Sequence, residues 1–126
     1  NVQSFDNNDD FFNALDESAK HYEQIRIESR EIIKRFKEPV KSILMNLIKL
    51  SDEMSAELIK LDSLDIYDDN LEKEIVNKYK STIIQNGELI NQIGGFELMQ
   101  FSCDCLHLNM KRFVEVWWDG IGDWQS

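Results

Sequence analysis

The sequence predicts an all-α protein, a four-helix antiparallel up-down-up-down bundle with a short aromatic C-terminal tail. Three observations carry that expectation. Apolar residues recur at helical spacing in four separate stretches. One proline and five glycines leave few chain breaks, and few breaks mean long elements, which are usually helices. The third is composition: 126 residues, 42% apolar and 30% charged, suit a single helical-bundle domain spanning 1–126 whose core holds without disulfides or metal.

The first helix is expected over residues 9–36. Phe11, Leu15, Ser18, Tyr22, Ile25, Ser29, Ile32 and Phe36 follow alternating steps of four and three, which places them on one face. Asn8 or Asp9 would cap its start, and Lys34, Arg35 and Lys37 suit the negative end of its dipole. Pro39 is disfavoured inside a helix and welcome in a first turn, so Glu38-Pro39 reads as a junction. The second helix follows over 39–61. Its stripe of Val40, Ile43, Leu47, Leu50, Met54 and Leu61 is widened by Leu44, Ile48, Leu58 and Ile59, as expected of a helix with two neighbours.

Residues 62–68 form the longest polar connection, with Leu64, Ile66 and Tyr67 expected to pack over one end of the bundle. Asp69 and Glu72 have the spacing of a capping box for a third helix over 70–93. Its face is Leu71, Ile75, Tyr79, Ile83, Asn86, Ile90 and Ile93, with Asn86 polar among apolar neighbours. Gly94-Gly95 is a strong stop signal. The fourth helix is expected over 96–117, with a stripe of Met99, Cys103, Leu106, Met110, Phe113 and Trp117, and it is apolar on most sides.

A net charge of −10, from 24 acidic and 14 basic residues, disfavours nucleic acid and anionic membranes, because both recruit Lys and Arg. The excess is spread along the chain and forms no acidic tail. No run of about 18 apolar residues exists to span a membrane. Cys103 and Cys105 are the only cysteines. Two apart on a helix, they diverge by roughly 200° and should both be free thiols, with Cys103 the slower to react. That usage fits a reducing compartment, so cytoplasm is expected. The chain begins at Asn1, which leaves a removed N-terminal segment open.

Cys103 and His107, one helical turn apart, are candidate metal ligands; closing such a site would need His21 or carboxylates. Glu17 and His21 are spaced four apart, whereas di-iron bundles space Glu and His three apart and do so on two helices. Residues 103–107 lack the spacing for covalent haem; Met99, Met110 and His107 could ligate a non-covalent one. The ordinary reading of these sulfurs is core packing. No phosphate loop or nucleophile elbow occurs, so catalysis is not expected.

All three tryptophans fall within residues 117–124. Trp118, Ile121 and Trp124, with Asp119 and Asp123, are the candidate partner-binding residues, since tryptophan dominates protein hot spots and acidic neighbours attract a basic partner. The competing reading folds Trp117 and Trp124 back as a plug. The leading expectation is a non-catalytic acidic interaction module, a monomer or homodimer, that neutralises or chaperones a basic protein, as immunity proteins do. A metal- or haem-binding bundle using Cys103, His107 and His21 is the first alternative, and a self-assembling subunit the second.

Overall fold

The computed structural model describes residues 3–64 and 68–125, with side chains from Glu17 onward. The described residues form four helices and no strand: α1 (Gln3–Ile33), α2 (Val40–Asp62), α3 (Asp69–Asp104) and α4 (Leu108–Trp117). None of these helices is long and apolar enough to cross a membrane. The buried apolar side chains form one cluster drawn from all four helices and the C-terminal tail. The α3 helix touches every other helix, and its contact with α2 is the most extensive.

Helix α1 begins at Gln3, so Asn8 and Asp9 lie inside it and do not cap it. It ends at Ile33, three residues earlier than the heptad stripe implies. Its core-facing residues are Ser29 and Ile33, with Ile25 half-buried; Ile32 is exposed. The inward face thus runs at steps of four, as an uncoiled helix with 3.6 residues per turn requires over a short span. Phe36, released from the helix, packs its ring on Phe101 at 5.4 Å between centroids. Residues 17–24 are exposed throughout. The side chains of Phe11 and Leu15 lie outside the described residues.

Helix α2 follows the expected pattern closely. Pro39 takes the N-cap position, and the Glu38 carboxylate accepts the Ser42 backbone N–H at 2.8 Å and the Ser42 hydroxyl. Those bonds hold the Glu38 carboxyl below the usual range. Leu44, Leu47, Ile48, Met54 and Leu61 are buried, whereas Ile59 points to solvent. In the connection Leu64 is exposed, so it does not pack over the bundle; Ile66 and Tyr67 lie outside the described residues.

The cap of α3 is Asp68, one residue before the expected box. Its carboxylate accepts the N–H groups of Asn70 at 2.9 Å and Leu71 at 3.3 Å. Tyr79, Ile83, Asn86 and Ile90 face inward as expected. Gly95 takes φ 66 and ψ −157, which interrupts α3 without ending it, so the Gly94-Gly95 stop is a sharp bend with helix on both sides.

The largest departure from expectation follows. Residues 96–117 are not one helix. The helix ends at Asp104, the chain turns through Cys105 (ψ −8), which keeps helical geometry, and Leu106, is extended at His107 (ψ 145) and becomes helical again at Leu108. No glycine or proline marks this break. The Cys105 carbonyl, left without a helical donor, accepts the Arg30 Nε–H from α1 at 2.7 Å. A bond spanning 75 residues thus holds open a break that local preference alone would close.

Candidate functional site

The break fixes how the C-terminus packs. Before it, Met99, Ser102 and Cys103 are buried. After it the buried residues are Met110, Val114 and Trp118, at steps of four. Phe113 and Trp117, which a continuous helix would bring inward, lie one step off the core face and are half-buried.

Trp118 is therefore fully buried, and its indole N–H donates to the Ile83 carbonyl at 3.0 Å. Gly87 lies beneath the ring, where a Cβ would overlap it. Trp124 is buried as well, its N–H donating to the Glu115 carbonyl at 2.8 Å. The two rings meet edge to face, with centroids 5.6 Å apart, and Phe96 packs on Trp124 at 5.4 Å. Gly120 and Gly122 take positive φ values of 89 and 54, and these two left-handed residues turn the tail back on itself. The hook closes with the Gly120 N–H on the Trp124 carbonyl at 3.2 Å. Outward-facing Trp118 and Trp124 are thus corrected: their polar atoms are satisfied and their rings lie in the core. Asp119 and Asp123 are exposed on the hook, and Ile121 is half-buried against the core cluster.

The candidate metal ligands are not brought together. Cys103 and Cys105 are free, buried thiols. Burial pushes the Cys103 thiol well up and the Cys105 thiol to about 12, away from the thiolate that metals and electrophiles require. His21 is exposed, with its ring against Tyr22. Because of the break, His107 does not share a helical face with Cys103. Its Nε2 lies 3.6 Å from the Asp52 carboxylate. Partial burial lowers the His107 pKa, and the Arg26 and Arg30 cations add to that effect against the pull of Asp52 and Glu23. Among the described residues no group of three or more His, Cys, Asp or Glu is placed to hold a metal ion. Met99 and Met110 are buried in the core.

Around His107 a polar network locks α1, α2 and the break together. Arg30 donates to both Asp52 oxygens, at 3.1 and 2.9 Å, in addition to the Cys105 carbonyl. Lys111 pairs with Asp104 at 3.1 Å and sits over the Tyr22 ring at 5.0 Å. These groups satisfy one another, so the network positions the backbone of the break.

What remains open is the outer side of α4. Asn109, Arg112, Phe113, Val116 and Trp117 line a shallow apolar groove of ≈ 470 Å³. Val116 is 60% exposed, and Phe113 and Trp117 stack at 5.5 Å. Sequence reasoning assigned Phe113 and Trp117 to the core stripe. The signal that could have marked this surface is Val116, an apolar residue outside the stripe of Met110, Phe113 and Trp117. No protein-family model, curated protein or solved structure matches the chain.

Proposed function

We propose that this chain is a non-catalytic acidic interaction module that binds a basic protein partner through the outer face of α4. The observation that carries the reading is Val116, Phe113 and Trp117 side by side at the surface of a strongly acidic protein. Clustered exposed apolar side chains mark contact sites more often than they occur by chance, and excess negative charge selects a cationic partner. The frame proposed for it is an antiparallel up-down bundle of one domain, its last arm broken at residues 105–107 and its end closed by the hooked tail. Buried free thiols suit a reducing compartment such as the cytoplasm. Asp119 and Asp123 contribute charge to this reading.

Affinity capture with the full chain as bait tests it. Retained proteins should be predominantly basic and should elute as salt rises and screening sets in. Retention of nothing, or of acidic proteins insensitive to salt, would contradict the reading.

A second reading, self-assembly, is favoured by α1. Its residues 17–24 are all exposed, and Tyr22, Ile27 and Ile32 present apolar surface along the same helix. Size-exclusion chromatography over a wide concentration range separates the two, since only self-assembly shifts the elution volume.

A further inference from the structure

The groove on α4 does not end at α4. Asn109 and Phe113 also line a cleft of ≈ 190 Å³ with Leu58, Leu61, Asp62 and Glu72, at the end of α2 and the start of α3. Asn109 and Phe113 wall both the groove and the cleft, so the two make one surface, which runs from Trp117 past Phe113 to Glu72. The buried Leu61 also backs a neighbouring hollow of ≈ 250 Å³ lined by Glu57, Lys60, Leu64, Leu71 and Ile75.

Its charge is unevenly placed. Among the described residues the Glu72 end holds the carboxylates Asp62, Asp68, Asp69, Glu72 and Glu74 against two cations, Lys60 and Lys73. The start of α3 accounts for Asp68, Asp69 and Glu72, because carboxylates there cap the helix and complement its dipole. It does not account for Asp62. That residue is the last of α2, where the helix dipole is negative and a carboxylate is disfavoured. Asp62 and Glu72, on the wall of the cleft beside Leu58 and Phe113, offer carboxylates to a cation that arrives from outside. At the other end of the surface the charge reverses, with Arg112 beside Trp117.

We infer that this surface takes an amphipathic, Lys/Arg-bearing helix of a partner protein. The inference rests on the interaction reading above and adds the partner's chemistry and seat. The apolar ridge of the incoming helix lies between α4 and the end of α2, against Phe113 and Leu58, as helix-in-groove recognition requires. Its cations face Asp62 and Glu72, and its acidic or uncharged end faces Arg112. Charge at the two ends therefore sets the direction in which the helix lies.

The test uses the full chain and two fluorescent helix-forming peptides of about 18 residues with the same apolar spacing, one of Leu and Lys and one of Leu and Glu. Fluorescence anisotropy at low salt should show binding of the Leu/Lys peptide only. Val116→Lys should weaken it at least about tenfold, while Ile27→Lys, the same change on an exposed site of α1, should stay within about twofold. Asp62→Asn should weaken binding by about threefold and flatten its salt dependence. Both altered residues are surface groups; should Val116→Lys unfold the chain, Asp62→Asn still decides. Equal losses for Val116→Lys and Ile27→Lys would mean diffuse attraction and would overturn the groove while leaving the interaction reading standing. Binding of the Leu/Glu peptide would overturn the charge assignment. Binding of neither peptide would also overturn the inference, and so would a groove filled by a second copy, seen as concentration-dependent size without peptide binding. In each case the retained proteins of the capture experiment judge the broader reading separately.

Discussion

The inner and outer sides of α4 differ in composition and in what they touch: the outer side sets Asn109 and Arg112 among its apolar residues. Inward, Met110, Val114 and Trp118 are closed over by α3 and the hooked tail, and the indole of Trp118 has its hydrogen bond. Outward, Phe113, Val116 and Trp117 are as apolar, and among the described residues no helix covers Val116. Trp117 and Trp118 are neighbours in sequence, yet one packs the core and the other lines a surface. The difference teaches that aromatic clustering shows where to look, and that helical register decides which ring is fully buried and which stays half-exposed at the surface.

Stability measurements can break that contrast at its strongest point. Trp118→Ala should cost about 3–5 kcal/mol in urea unfolding, the usual range for truncating a fully buried large aromatic. Trp117→Ala should cost about 1 kcal/mol or less, since a half-exposed ring leaves no closed cavity. Similar losses at the two positions would show that the register is misplaced.

Smaller effects sharpen the account of why the register falls there. Arg30→Met removes both Asp52 bonds and the donor to the Cys105 carbonyl, and should cost about 2 kcal/mol, as expected for hydrogen bonds from a charged group. Gly87→Ala places a methyl against the Trp118 indole and should cost about 1–3 kcal/mol. Combined with Trp118→Phe, its loss should be less than additive, because the smaller ring leaves room for the methyl.

His107 gives a weaker, pH-dependent handle. Its folded-state pKa is depressed, so the unfolded chain takes up the proton more readily. The contribution is fully present above the unfolded value near 6.5 and is lost as pH falls through the lower folded value. Wild-type stability should therefore decline on acidification below about pH 6.5. His107→Gln should remove part of that decline while leaving the further loss below about pH 4.5, where the depressed carboxyls of Glu23, Glu38 and Glu57 titrate. An identical pH profile for wild type and variant would remove His107 from the network.

Much of the helical content was legible in the residues. The α2 face could be read almost whole, because Leu44, Leu47, Ile48 and Met54 follow the helical period and Pro39 marks the start. Asn86 on the apolar face of α3 was visible too, and it is buried, its Nδ2 finding no hydrogen-bond partner among the described residues. The Asp68 cap was missed by one residue, since three aspartates within 65–69 offer alternatives that only backbone geometry separates. The break at 105–107 was not legible, because its stabilising group, Arg30, lies 75 residues away and no chain-breaking residue marks it. That omission misplaced Trp118 and gave Cys103 and His107 a shared face; Phe113 and Trp117 still pack half-buried against the core, and Trp124 folds back as the plug reading has it. Function was less legible than fold, since the surface of interest is made by residues that periodicity assigns to the core.

Iodide quenching of tryptophan fluorescence in the Trp117→Phe variant tests the central claim most directly. With Trp117 gone, the remaining emission comes from Trp118 and Trp124, which the hook and α3 enclose. It should be blue-shifted and almost insensitive to iodide, whereas the wild type should show a quenchable fraction that the substitution removes. Red-shifted, readily quenched emission from the variant would contradict the account, because it would place the tail in solvent and return recognition to Trp118 and Trp124.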